Sequence, residues 1–186
     1  LSNGKVEYDG TVHNCIEYYI NSTKNEVHTS IAEVENRKGI GEFIFSNHSF
    51  SNSLKKTETF KIGETINLEL EIFNKDNNDI HDLRVDLGLN NSRNKRLSWI
   101  STTLHNKLSL SAEKEKRILL TVTIEELLLV PGHYDFNLNL IVNGENQDWV
   151  PNVCRFEILE SPFFVSGKLP PNNQGDMLLK HNFKIK

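Results

Sequence analysis

Methionine occurs once in the 186 residues, at Met177, and tryptophan and cysteine twice each. Cys15 and Cys154 lie far apart and form neither a CxxC pair nor a zinc-ligand spacing, so they read as a reduced pair. No stretch approaches the roughly 18 consecutive apolar residues of a membrane span. The start of the chain is polar and lacks the apolar core of a secretory leader. Positive charge is not in excess: 21 Lys and Arg stand against 25 Asp and Glu, a net charge of -4. That argues against a nucleic-acid partner, whose grip rests on neutralising phosphates. Catalytic signatures are missing too. There is no Walker A, GxSxG, HExxH or GxGxxG. None of the seven histidines pairs with another at metal-ligand spacing, and the acidic residues single out no glycosidase pair.

Hydrophobic residues make up 37% and aromatics 9%, enough for one folded domain. A chain of this length buries about 70% of its unfolded surface and needs no staples. Asparagine is abundant, with 23 residues, a bias that genome composition explains without function. The chain opens without Met and reads as a piece of a longer protein, cut near the end of an upstream domain. Residues 1–10 resemble a hairpin around Asn3-Gly4, and Thr11 can cap a helix reaching Asn21. Residues 22–39 have a linker composition, with room for a short strand or helix at 27–34.

From residue 40 the period changes to two. Alternating runs occupy 42–50, 66–72, 83–90, 118–124, 136–142 and 154–159, with a weaker run at 96–104 around Trp99. Turn chemistry separates them, notably Pro131-Gly132 and Asn143-Gly144. Seven such strands predict antiparallel sheets stacked as an immunoglobulin-like β-sandwich. The apolar segment 125–130 reads as a plug at one end. The tail, 161–186, carries Phe163-Phe164, a Pro170-Pro171 break and an isolated apolar run from Met177 to Phe183.

An immunoglobulin-like order places the third, fourth, sixth and seventh runs in one sheet. The outer face of that sheet then presents Arg84, Asp86, Asn90, Asp135, Asn137, Asn139, Arg155 and Glu157, with Gly88 leaving a dip. Planar amides, carboxylates and an aromatic suit sugar hydroxyls, and Trp99 and Trp149 are the aromatic candidates. Polar residues on a sheet face also serve solubility alone.

Several pieces bring a family into view. LSNGKVEYDGTVHNCIEYYI resembles the end of an ABC-transporter ATPase domain. IGEFIF, FKIGETINLELEIFN, LLLVPGHYDFNLNLIVNG, DWVPNVCRFEILESPFF and SGKLPPNNQGDMLLKHNF resemble, in order and spacing, the C-terminal domain of Wzt, the nucleotide-binding subunit of ABC exporters for O-antigen polysaccharide. The resemblance implies three parts: residues 1–22 as the end of an ATPase domain, 23–39 as a linker, and 40–186 as a carbohydrate-binding sandwich. It implies a cytoplasmic, non-catalytic module at the inner membrane that binds the exported glycan, often at its non-reducing end. ATP and magnesium would belong to the upstream domain, with no cofactor in this fragment, and that domain would meet the membrane-spanning subunit. It also implies a homodimer exchanging the C-terminal strand, here Met177, Leu178, Leu179 and Phe183. Two other readings stay open: a dimerisation domain that touches no glycan, and a carbohydrate-active enzyme. A phosphate or methylated cap on the glycan would favour Arg84, Arg93, Arg96 or Arg155, whose guanidinium forks match phosphate geometry.

Overall fold

The computed structural model describes residues 6, 8–12, 15, 30–105, 116–171 and 174–185. The N-terminal hairpin and most of the helix expected at 11–21 lie outside them. Val12 and Cys15 are helical, and the Cys15 amide donates to the Thr11 carbonyl at 2.8 Å.

The described residues hold eight strands: β1 (Phe43–Ser51), β2 (Thr59–Lys61), β3 (Ile66–Asn74), β4 (Leu83–Asn91), β5 (Arg96–Ser101), β6 (Arg117–Ile124), β7 (Gly132–Val142) and β8 (Glu145–Leu159). They form a three-stranded sheet in the order β1-β3-β6 and a five-stranded sheet in the order β2-β8-β7-β4-β5. The expected β-sandwich is present, and β4, β5, β7 and β8 share a sheet as the immunoglobulin-like order predicts. One departure is β2, which pairs parallel with β8. Three residues are too few for a periodic signal, yet Phe60 at its centre is buried.

Alternation decides what lies inside. Leu68, Leu70 and Ile72 from one sheet meet Val85, Leu87, Phe136, Leu138 and Leu140 from the other in a single core. Phe43 and Phe45 point inward from odd positions of β1, whereas Phe50 is buried from an even one. A bulge between Phe45 and Asn47 shifts the register and makes both possible. At one end of the core, Phe156 of β8 packs against Phe50 of β1 at 5.6 Å, and against Tyr134 and Phe136 of β7 at 5.7 Å each. Burying one such ring contributes about 1.5–3 kcal/mol.

The run expected at 154–159 is the second half of a longer strand. Asn143 and Gly144, both with positive φ, make the two-residue turn that joins β7 directly to β8. The first half of β8 hides its period because bulges interrupt it, and Asn152 and Cys154, where it passes into the second half, adopt φ near +50°. Pro151 is tolerated in this bulged stretch.

The segment read as linker is joined to the sandwich from residue 30 onward. Ser30 caps a 3-10 turn at Ile31–Glu33, accepting from the Ala32 amide at 3.2 Å. Ile31 and Val34 are buried in the core. Arg37 then clamps the segment. Its Nε donates to Asp148 at 3.0 Å, its Nη1 to the Ile31 carbonyl at 3.2 Å and its Nη2 to the Phe45 carbonyl at 2.8 Å. Asp148, whose side chain is 3% exposed, also accepts from the Phe45 amide at 2.8 Å. The pair thus ties the incoming segment to both sheets. Removing one partner of a buried pair strands the other charge, at a cost of about 3–5 kcal/mol. Asp148→Ala should therefore lower the unfolding free energy by about that amount, read as an earlier midpoint in urea with an unchanged m-value.

Candidate functional site

The register between β4 and its two neighbours builds the outer face of the five-stranded sheet row by row. Ser101, Asp86, Asn139 and Trp149 align across β5, β4, β7 and β8. Trp99, Gly88 and Asn137 form the next row, and Arg96, Asn90 and Asp135 the one beyond. Of the side chains selected from the alternation, those of Asp86, Asn90, Trp99, Asp135, Asn137 and Asn139 share these rows, joined by Trp149, which lies cross-strand from Asn139, whereas Glu157 stands farther along β8, opposite His133.

Their burial is less uniform than the sequence suggests. Asp86 is 6% exposed and Asn90 only 1%, although both point away from the core. Arginines cover them. Arg84 Nε donates to both Asp86 oxygens, at 3.0 and 3.1 Å, and its Nη2 lies 2.9 Å from Oδ2. That bonding to Asp86 raises the already high pKa of Arg84 further, so its charge is permanent. Ser101 donates to Asp86 at 2.6 Å, and Asn139 Nδ2 approaches it at 3.4 Å. Arg96 Nε donates to Asn90 Oδ1 at 2.8 Å, while Asn90 Nδ2 donates to Asp135 at 3.0 Å and to Asn137 at 3.1 Å.

The dip expected at Gly88 is filled. A Cβ built there would overlap the Arg96 guanidinium, which lies across the bare backbone. Glycine is needed here to admit the arginine, and Arg96 becomes a member of the face. The only sequence signal for it was its guanidinium chemistry.

Asp86 and Asn90 are thus positioning groups beneath two arginines. The accessible layer consists of Trp99, 42% exposed, with Arg84 at 5.9 Å from its ring centroid, together with Arg96 and the partly exposed Asn137, Asn139 and Arg155. Asn137 Oδ1 also accepts from the Asn152 amide at 2.9 Å, which fastens the bulge of β8 to the face. Asn139 Oδ1 is buried and has no partner among the described residues. Cys154, at the second bulge, is fully buried, and burial pushes its thiol well above the usual range, with the Asp135 carboxylate acting in the same direction.

The tail does not form the strand expected from Met177 to Phe183. A single antiparallel bridge joins Met177 to Leu129 of the same chain. The Leu178 amide donates to the Leu128 carbonyl at 2.8 Å and the Val130 amide to the Asp176 carbonyl at 3.2 Å. Leu178 is buried, whereas Met177, Leu179 and Phe183 are exposed. Asp176 anchors the approach, accepting from Asn91 at 2.9 Å and Lys95 at 3.1 Å. The Asn91 hydrogen bond, helped by Lys95, holds its pKa below the usual carboxylate value.

Among the described residues no group of three or more His, Cys, Asp or Glu could hold a metal ion, and no helix is long and apolar enough to cross a membrane. What the face offers is fixed guanidinium donors beside an exposed indole. The two layers should respond differently to truncation. Asp86→Ala leaves Arg84, Ser101 and Asn139 without their acceptor and should cost about 1–3 kcal/mol of stability. Trp99→Ala, at an exposed position, should change stability by less than about 0.5 kcal/mol. Chemical denaturation of the two variants checks this.

Comparison with known proteins bears on the same region. The family described as the Wzt C-terminal domain matches residues 34–168. Among solved structures, the crystal structure of the C-terminal domain of Wzt shares the fold with a TM-score of 0.67 and 11% sequence identity, covering 88% of this chain and 94% of that one. No curated protein matches. The family match starts at Val34, within the segment that Arg37 clamps to the sandwich, and runs through all eight strands. This chain belongs to the Wzt C-terminal domain family.

Proposed function

We propose that this chain is a non-catalytic module that binds O-antigen polysaccharide, at its non-reducing terminus, and couples it to export by an ABC transporter. One observation carries the reading. A carboxylate and an amide are buried on the solvent side of a sheet and hold two arginines beside an exposed tryptophan. Burying polar groups has a desolvation cost, and a face kept polar for solubility alone has no need of it. Trp99 then stacks on the apolar face of a sugar ring, while Arg84, Arg96 and Arg155 donate to ring hydroxyls or to a phosphate on the terminal cap. Asn137 and Asn139 form the floor. ATP and magnesium belong to an upstream ATPase domain, which meets the membrane-spanning subunit at the cytoplasmic side of the inner membrane. The net charge of -4 fits a glycan partner better than a nucleic acid.

Titration with the polysaccharide of the protein's own strain tests this. Trp99→Ala and Arg96→Ala should each weaken binding about 5- to 150-fold, the equivalent of losing about 1–3 kcal/mol. Glu69→Ala, on the exposed side of the other sheet, should leave it unchanged. Full affinity in both face variants would move the site elsewhere.

A second reading, a dimerisation domain without glycan binding, draws on the tail. Leu179 is 71%, Phe183 92% and Ile185 99% exposed, so the arm presents apolar groups that the described residues do not cover. The bridge between Met177 and Leu129 can form between two chains by the same contacts, as in domain swapping. We therefore propose a homodimer that exchanges this arm, in company with glycan binding. Deleting residues 170–186 should give monomer or aggregate by light scattering, because it uncovers the paired segment 128–130. A soluble dimer that survives the deletion would rule out the exchange.

A further inference from the structure

The chain has two tryptophans, and they stand at opposite margins of the outer face. Trp99 is on β5 and Trp149 on β8, three strands away in the order β5-β4-β7-β8. Trp149 points outward with Asn139 opposite it, whereas its neighbour Val150 is buried in the core opposite Leu138. Three strand spacings amount to about 14 Å, farther than one sugar ring reaches. Each indole carries a cation. The Arg84 guanidinium stands 5.9 Å from the centroid of the Trp99 ring, and Lys38 Nζ 5.3 Å from that of Trp149.

Lys38 reaches the face because the segment entering the sandwich runs beside β8 as a further column. An antiparallel bridge pairs Lys38 with Trp149. The Lys38 amide donates to the Trp149 carbonyl at 3.1 Å, and the Trp149 amide to the Lys38 carbonyl at 2.6 Å. The Ile40 and Gly41 amides donate to the carbonyls of Asn146 and Gln147 at 3.1 and 2.9 Å. Gly39, at φ +135°, admits this approach, since a Cβ there would overlap the Gln147 backbone. The row Ser101, Asp86, Asn139 and Trp149 therefore ends on Lys38. Its side chain is exposed and makes no ion pair among the described residues, whereas the indole beneath it is half-buried. An exposed cation–π contact is weak, so the ammonium is free to turn to a ligand oxygen while the indole keeps its place. A face kept polar for solubility alone gains nothing from a large apolar ring at each margin, and indoles gather where a surface is apolar at one end and wet at the other.

We propose that Trp149 and Lys38 form a second sugar subsite, so that the face takes a run of about four consecutive sugars laid across the strands from Trp99. The apolar side of one sugar rests on the Trp149 indole, and one of its oxygens accepts from Lys38 Nζ. Asn139 lies beneath the sugars between the two margins. The inference rests on glycan binding at Trp99 and deepens it: the face reads a stretch of chain and not a terminal unit alone. It also makes the entering segment part of the binding surface.

Two tryptophans give the 15N-labelled chain two indole N–H signals, which Trp99→Phe assigns. The probes are the polysaccharide of the protein's own strain and size-sorted fragments of it. The polysaccharide, and fragments of about four sugars or more, should shift both indole signals with one dissociation constant. Fragments of one or two sugars should shift at most one of them. Lys38→Gln, which keeps the backbone pairing, and Trp149→Leu should each weaken binding of the polysaccharide about 3- to 10-fold. Both should leave binding of the shortest fragments unchanged, a split that a merely structural role would not produce. The amide spectrum checks that each variant is folded, and Lys38→Gln decides alone if Trp149→Leu is not. The inference fails if the polysaccharide shifts the Trp99 signal without the Trp149 signal, if a single sugar shifts both, or if Lys38→Gln binds the polysaccharide undiminished. Those results leave glycan binding at Trp99 intact, whereas a Trp99 signal that no probe moves ends both readings.

Discussion

The register between β4 and β7 is the constraint on which the fold and its outer face both depend. Opposite Val85, Leu87 and Leu89 stand Leu140, Leu138 and Phe136, and opposite Asp86, Gly88 and Asn90 stand Asn139, Asn137 and Asp135. A slip of one residue would turn the first set to water and the second into the core. Hydrophobic burial selects the register, and the polar face reinforces it, because the forked bonds from Asn90 to Asp135 and Asn137 form only in this alignment. The same pairs that lock the sheet therefore supply the scaffold for the face.

That face has two depths. Asp86 and Asn90 are buried polar groups, and they are tolerable because Arg84 and Ser101 satisfy the first and Arg96, Asp135 and Asn137 the second. In return the arginines lose freedom: Arg84 is held by a forked pair, and Arg96 is laid over Gly88 and bonded at Nε. A guanidinium fixed in advance loses less entropy when it binds a ligand than a free surface side chain does. Truncating the lower layer damages the sheet, whereas truncating the upper layer removes only contacts to whatever rests there.

Segments outside the strands complete the sandwich at its edges. Arg37 and Asp148 pull the entering chain across both sheets, and this crossing sets Lys38 beside Trp149 of β8. At the other end of the chain, Asp176 and Leu178 dock the tail on β4 and the segment before β7, leaving the last apolar residues exposed. Both additions meet backbone groups that the strand ladder leaves unpaired, which is where a sandwich can accept further chain.

Alternation in the sequence was enough for the sandwich and for the outward set from Arg84 to Asn139, whereas the division of β4, β5, β7 and β8 from the other sheet needed an immunoglobulin-like strand order as well. Period two is a local property, and each run carries it whole. Four features were not legible. Strand β2 is too short to show a period. The first half of β8 loses its period to bulges before and at Asn152. Residues 30–39 look like a linker because their anchors are one arginine, Ile31 and Val34, with no repeat between them. Gly88 reads as a hollow until Arg96 is seen to fill it. The first three rest on contacts between residues far apart in the chain, Arg37 with Asp148, Phe60 with Phe156 and Gln147 with Gly39, and the fourth on a side chain from the adjoining strand. Composition and spacing determined which side chains face outward. Only the tertiary structure decided which of them are buried beneath others, because burial depends on what the neighbouring strand places on top.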